Sequence, residues 1–159
     1  MDTRLKRVDS GELDAIVLAA AGLHRLGLEH RIRSVLTPNE IIPAVGQGAL
    51  GIEIRKDDDP VLEIIKFLNH KPTDLTVKAE RAFLRRLEGG CQVPIAGYAQ
   101  LDSGTILLKG MVAELNGSRI IKGETSGTME DPDHIGIRLA ERLLASGGSE
   151  ILDRIYGKG

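Results

Sequence analysis

Two arrangements of apolar positions divide the chain. Up to about residue 68 they come in short runs broken by glycine, proline and aspartate. Beyond residue 70 they follow a helical period, then alternate, then return to a helical period. In the first part, Leu5 and Val8 fit a helical turn closed by Ser10-Gly11. Asp14-Ala15-Ile16-Val17-Leu18-Ala19 is short, continuous and β-branched, which predicts a buried strand. Ala20 to Gly27 predicts a short helix stopped by its glycine. A strand entering a helix through small residues predicts an α/β unit. Pro38-Asn39 marks a turn, and Ile41-Ile42 suits a strand. Pro43 to Gly48 holds a proline and two glycines, poor material for a helix or a central strand, and reads as a crossing segment. Leu50 to Arg55 alternates as a strand. Asp57-Asp58-Asp59-Pro60 offers a cap and a first-turn proline for a helix to about Leu68. That inventory is short for a doubly wound sheet, so the first half reads as an incomplete α/β domain.

His70-Lys71-Pro72 is the candidate boundary. Thr73 or Asp74 can cap a helix whose apolar stripe is Leu75, Ala79, Ala82, Phe83 and Leu87, stopped by Gly89-Gly90. Three strand-like runs follow, Ile95–Leu101, Thr105–Glu114 and Ser118–Thr125. The turn signals between them, Asp102-Ser103-Gly104 and Asn116-Gly117, predict an antiparallel meander. Asp131-Pro132 starts a helix with Ile135, Leu139 and Leu143 on one face. Gly147-Gly148 breaks it before a last helix from Ser149 to Tyr156. Residues 71–159 therefore read as a small α+β domain.

Composition changes this picture little. Of 159 residues 42% are hydrophobic and 3% aromatic, so the core must be built from Leu, Ile, Val and Ala. A net charge of −2 gives no footprint for nucleic acid. The single cysteine excludes an internal disulfide and a multi-cysteine zinc site, and fits a reducing, cytoplasmic compartment. No apolar run approaches the roughly 18 residues of a membrane span, and no secretory signal opens the chain.

Cys91 is the first chemical candidate. Gly89-Gly90 precede it and Pro94 follows, which suggests a side chain presented on a constrained loop. With Arg85 and Arg86 near in sequence, a thiolate could attack a carbon electrophile. Spacing alone leans toward an inert, buried thiol, and a helix C-terminus disfavours an adjacent anion. Arg4 and Arg25 flank the first strand and could pair with ligand carboxylates, or be ordinary surface charges. The histidines at 24, 30, 70 and 134 form no metal-ligand pattern, and a helix cap explains Asp57–Asp59. Gly46-Gln47-Gly48 precedes a strand rather than a helix, the wrong context for a phosphate cradle, and reads better as a hinge.

Three segments together resemble the porphobilinogen deaminase (hydroxymethylbilane synthase) family. They are Asp14–Leu23 with Arg25-Leu26-Gly27, Pro43–Glu53, and Ala79-Glu80-Arg81-Ala82 through Arg86-Leu87-Glu88-Gly89-Gly90-Cys91-Gln92-Val93-Pro94. The resemblance covers essentially the whole chain and identifies it with the family's C-terminal half. It implies that residues 1–42 belong to a second, periplasmic-binding-protein-like α/β domain and that residues 43–70 form a hinge plus a strand and helix returning to a first domain. Residues 71–159 would be a third domain carrying the cofactor cysteine. It implies a transferase that polymerises four porphobilinogen units into hydroxymethylbilane with release of ammonia, a step of tetrapyrrole and haem synthesis. Cys91 would hold a covalent dipyrromethane cofactor through a thioether. Arg4 and Arg25 match positions that pair with the acetate and propionate groups of the pyrroles. Ala19, Gly22, Gln47 and Gly48 match positions lining the cofactor and substrate cleft.

The family's catalytic aspartate matches no position here, because it belongs to an N-terminal half that this chain is expected to lack. The expected partners are porphobilinogen, the growing polypyrrole chain and a separate N-terminal half, with no metal, nucleic acid or membrane. A non-catalytic carrier or interaction domain with the same fold is the alternative. A thiol-redox role for Cys91 ranks third, since the chain has no resolving cysteine.

Overall fold

The computed structural model describes residues 2–88 and 93–157. Their strands form one sheet of three, in the order β1-β2-β3: β1 (Ile95–Asp102), β2 (Thr105–Ala113) and β3 (Ile120–Thr128). Both pairings are antiparallel, with Asp102 opposite Thr105 and Ala113 opposite Ile120. Ser103 and Gly104 take positive φ at the first turn, as a tight hairpin demands. The third strand begins two residues later than its sequence suggests. Residues 114–119 close a wider loop instead, in which the Glu114 N–H donates to the Arg119 carbonyl at 2.9 Å.

Six helices accompany the sheet among the described residues. They are α1 (Asp2–Asp9), α2 (Ala20–Arg25), α3 (Asp59–Ile65), α4 (Lys71–Arg86), α5 (Pro132–Leu143) and α6 (Ser149–Tyr156). The expected punctuation holds at several ends. Gly27, at φ +67°, closes α2, with the Leu28 N–H reaching back to the Leu23 carbonyl. Asp58 caps α3 by accepting from the Val61 N–H, and Asp131 caps α5 through the His134 N–H. α4 departs from expectation. It starts at Lys71 with Pro72 in its first turn, and neither Thr73 nor Asp74 serves as its cap. Asp74 instead sits inside the first turn, where Lys78 and Lys71 hold its carboxyl below the usual range.

The chain divides into two compact units, Met1–Thr37 and Pro38–Gly159. In both, the strands expected before residue 70 are absent among the described residues. Asp14–Ala19, Ile41-Ile42 and Leu50–Arg55 run without ladder partners, and the one sheet among the described residues lies between Ile95 and Thr128. A strand exists by pairing, and apolar content alone does not supply a neighbour. The consequence is exposure: Val17 is 69% and Leu50 92% accessible. The described residues thus form an α+β arrangement, and no doubly wound or periplasmic-binding-protein-like sheet occurs among them.

α4 and α5 cover one face of the sheet. The core contains Ala79, Phe83 and Leu87 from α4, Ile106, Leu108 and Val112 from β2, Ile135, Leu139 and Leu143 from α5, and Ile151 from α6. Gly97, Gly110 and Gly123 lie opposite one another across the three strands. The row leaves a groove. A Cβ on Gly110 would sit 2.6 Å from Phe83 Cζ and 3.0 Å from Leu139 Cδ2. The Phe83 ring fills that space and is fully buried.

The two helices cross closely at Gly136. A Cβ there would lie 2.2 Å from the Ala79 carbonyl oxygen and 2.6 Å from the Phe83 nitrogen. Those are backbone atoms, so relief requires moving a helix. Gly136→Ala should therefore destabilise the chain by about 3 kcal/mol, the upper end of typical overpacking costs. Urea unfolding measures this; an unchanged midpoint would contradict the close crossing.

Candidate functional site

The cysteine segment leaves α4 and enters β1. Cys91 itself, with Gly89, Gly90 and Gln92, lies outside the described residues. Its flanks are well defined. Leu87 and Val93 both belong to one apolar cluster. Glu88 takes φ +53°, and its carbonyl accepts from the Tyr156 hydroxyl at 2.6 Å. On the far side the Ala113 N–H donates to the Pro94 carbonyl at 3.0 Å. The two arginines expected near the thiol are already engaged with α5, Arg85 with Asp133 at 2.7 Å and Arg86 with Glu141 at 3.5 Å.

The other expected residues fall in both units. Arg4 lies on α1, Ala19 precedes α2, Gly22 is within it and Arg25 ends it. The Gly22 N–H donates to the Ala19 carbonyl at 3.0 Å, so these two share the first turn of α2. Arg7 pairs with Glu12, and Arg31 with Asp9. Arg4 and Arg25, both exposed, have no such partner among the described residues. Neither does Arg33, which the sequence reading passed over. An exposed guanidinium without a protein carboxylate is chemically free to take one from a ligand.

Gln47 and Gly48 belong to the second unit. They occupy a turn over 45–48 in which the Gln47 N–H donates to the Ala44 carbonyl and the Ala49 N–H to the Gly46 carbonyl. Gly46 and Gly48 stand at φ +72° and +87°, left-handed angles that side chains resist. The crossing segment is docked on the sheet domain rather than loose. The Gly97 N–H donates to the Pro43 carbonyl at 3.1 Å, and Val45 packs against the core.

Glu80 completes that docking, and the sequence reading did not single it out. It is the one buried charged residue among the described residues, at 5% exposure. Its Oε2 accepts from the Gly46 N–H at 2.7 Å and its Oε1 from the Ala99 N–H at 2.8 Å. Burial pushes its carboxyl above the usual glutamate value, and the two amide N–H groups pull partly the other way. The signal was available. Glu80 stands three residues before Phe83 and seven before Leu87, which places a charge on the buried face of α4.

Among the described residues no group of three or more His, Cys, Asp or Glu could hold a metal. No helix is long and apolar enough to cross a membrane. Comparison with protein families gives two matches. Residues 1–63 match the model of the porphobilinogen deaminase dipyromethane cofactor binding domain, and residues 74–145 that of the porphobilinogen deaminase C-terminal domain. Together they cover most of the chain, in this order.

The raised Glu80 carboxyl has a thermodynamic signature. Between the ordinary glutamate value and the raised one, the folded state binds more proton than the unfolded state. Stability contributed by this group is therefore greatest below that window and falls as pH rises through it. Urea unfolding of wild type and Glu80→Gln across pH 4–7 should show the wild-type advantage shrinking with rising pH. A pH-independent difference would count against an ionising, buried Glu80.

Proposed function

The chain belongs to the porphobilinogen deaminase family, and on that premise we propose that it is the cofactor-holding part of a hydroxymethylbilane synthase. The family places it in tetrapyrrole synthesis, as a transferase that uses a dipyrromethane cofactor. In our reading Cys91 anchors that cofactor by a thioether. Arg4 and Arg25 pair with pyrrole carboxylates, and Ala19, Gly22, Gln47 and Gly48 line the cleft. Residues 1–42 belong to the second domain, 43–70 to the hinge and its return, and 71–159 to the third domain.

The observation that carries this reading is the join between α4 and β1. Leu87 and Val93, which flank Glu-Gly-Gly-Cys-Gln in the sequence, are both buried in one core. A covalent anchor for a growing, polyanionic chain needs such a fixed base. The donor set fits the group. Each pyrrole carries two carboxylates, and Arg4 and Arg25 have no carboxylate partner among the described residues. When bound, the dipyrromethane supplies the pyrrole carbon to which new units are joined. The chain's own residues hold its sulfur link, neutralise its carboxylates and present the cleft backbone through two glycines.

In this reading the proton-transfer aspartate comes from a separate N-terminal half of the enzyme. The exposed apolar side chains of residues 14–68 support that division. Val17 and Val35 in the first unit, and Leu50, Ile64 and Phe67 in the second, are each at least two-thirds accessible, as suits surfaces that strands contributed from elsewhere would cover.

Two measurements test the reading. Intact mass of protein produced together with an N-terminal half should show an adduct of dipyrromethane size that Cys91→Ser removes. An adduct that survives Cys91→Ser sinks the anchor assignment. This chain alone should consume no porphobilinogen, and turnover without a partner would overturn the division. In the complete enzyme, Arg25→Ala should weaken porphobilinogen binding by roughly 10- to 100-fold, the worth of one charge-assisted pair. An unchanged KM would remove Arg25 from the cleft.

A further inference from the structure

Glu80 is costly where it stands. The neighbouring positions on α4, Ala79, Ala82 and Phe83, are apolar and buried, and no cationic side chain pairs with the carboxylate among the described residues. A buried charge persists only if its oxygens are satisfied. Here they are satisfied by backbone N–H groups of two segments far apart in sequence, Gly46 and Ala99. Each oxygen takes one of them. The carboxylate is thus a two-ended link between α4, strand β1 and the crossing segment.

Among the described residues the crossing segment is fastened to α4 and β1 residue by residue up to this link. The Pro43 carbonyl is held by Gly97, Val45 by the core, and the Gly46 N–H by Glu80. The next two residues, Gln47 and Gly48, are exposed. The left-handed angle of Gly46 belongs to the turn that directs its N–H inward and carries the chain out again. A shorter or neutral side chain would serve only part of this. Aspartate is one methylene short. Glutamine offers one oxygen, and its amide would face an N–H with another donor.

We propose that Glu80 is a positioning residue that fixes the turn over residues 45–48, and thereby sets where Gln47 and Gly48 stand relative to the domain that carries Cys91. The cleft role of Gln47 and Gly48 rests on the functional reading above; the clamp itself does not.

Amide hydrogen exchange on the full chain tests the clamp. In wild type the Gly46 and Ala99 amides should be protected, and in a proton–nitrogen spectrum shifted downfield as donors to a carboxylate. In Glu80→Gln, exchange at residues 46–48 should rise about 10-fold or more, the effect of losing one hydrogen bond to a charged group. The amides of β2 and β3 should keep their protection. Ile135→Val, a core change away from the turn, should leave residues 46–48 unchanged. Unprotected Gly46 and Ala99 in wild type overturn the clamp without any variant. So does a Glu80→Gln chain whose turn exchanges as slowly as wild type, or one that loosens uniformly.

A second measurement tests what the clamp is for. In the complete enzyme, the rate of porphobilinogen turnover should fall at least several-fold in Glu80→Gln and stay near wild type in Ile135→Val. Equal rates in wild type and Glu80→Gln overturn the positioning role. A wild-type enzyme with no adduct on Cys91 overturns the functional reading instead, and the exchange result still decides the clamp.

Discussion

The fold of residues 71–156 depends on one packing event, the burial of the Phe83 ring over a row of glycines. Gly97, Gly110 and Gly123 remove three side chains in line across the sheet; the ring takes the space at Gly97 and Gly110, and Leu139 and Leu143 take it at Gly123. That sets how closely α4 approaches the strands. Gly136 lets α5 come equally close to α4 on the other side. The aromatic share of this chain is small, so a single well-placed ring carries weight that several would share elsewhere.

Two functions of α4 lie within about one helical turn of that ring. Three residues before it, Glu80 reaches the backbone of β1 and of the crossing segment. Four residues after it, Leu87 closes the helix over the core, and the chain moves through Glu88 toward the cysteine. The close approach of α4 therefore serves two ends at once. It brings a carboxylate into hydrogen-bonding range of Ala99, and it seats both flanks of the cysteine segment in one apolar core.

Much of the second half was legible in the sequence. The meander turns, the apolar stripe of α4 and the capped start of α5 all follow from local chemistry: positive φ at Gly104, period 3.6 through Leu75–Leu87, and an aspartate before Pro132. The first half was less legible for a physical reason. Asp14–Ala19 has strand composition, but a ladder needs a second chain segment, and none lies beside it among the described residues. Of the site, local pattern pointed to Cys91, Arg4 and Arg25 as candidates and left each open. The glycine row was invisible because its members are 13 residues apart and align only once the register is known. Glu80 was overlooked because one charge beside an apolar stripe reads as a solvated edge until its partners are seen.

The link through Glu80 also favours an order of assembly. Helix α4 and the hairpin of β1 and β2 are neighbours in sequence, and they can meet through short loops. The crossing segment must reach farther. Its N–H at Gly46 needs an acceptor 34 residues away on α4, and its carbonyl at Pro43 needs a donor on β1. The two partners lie on different elements, so both bonds form together only where helix and sheet stand side by side. Docking the turn that carries Gln47 and Gly48 therefore closes a longer loop than joining α4 to β1 does, which favours its joining late. During synthesis it leaves the ribosome first and then waits for its acceptor, with its inward-facing amide still bonded to water.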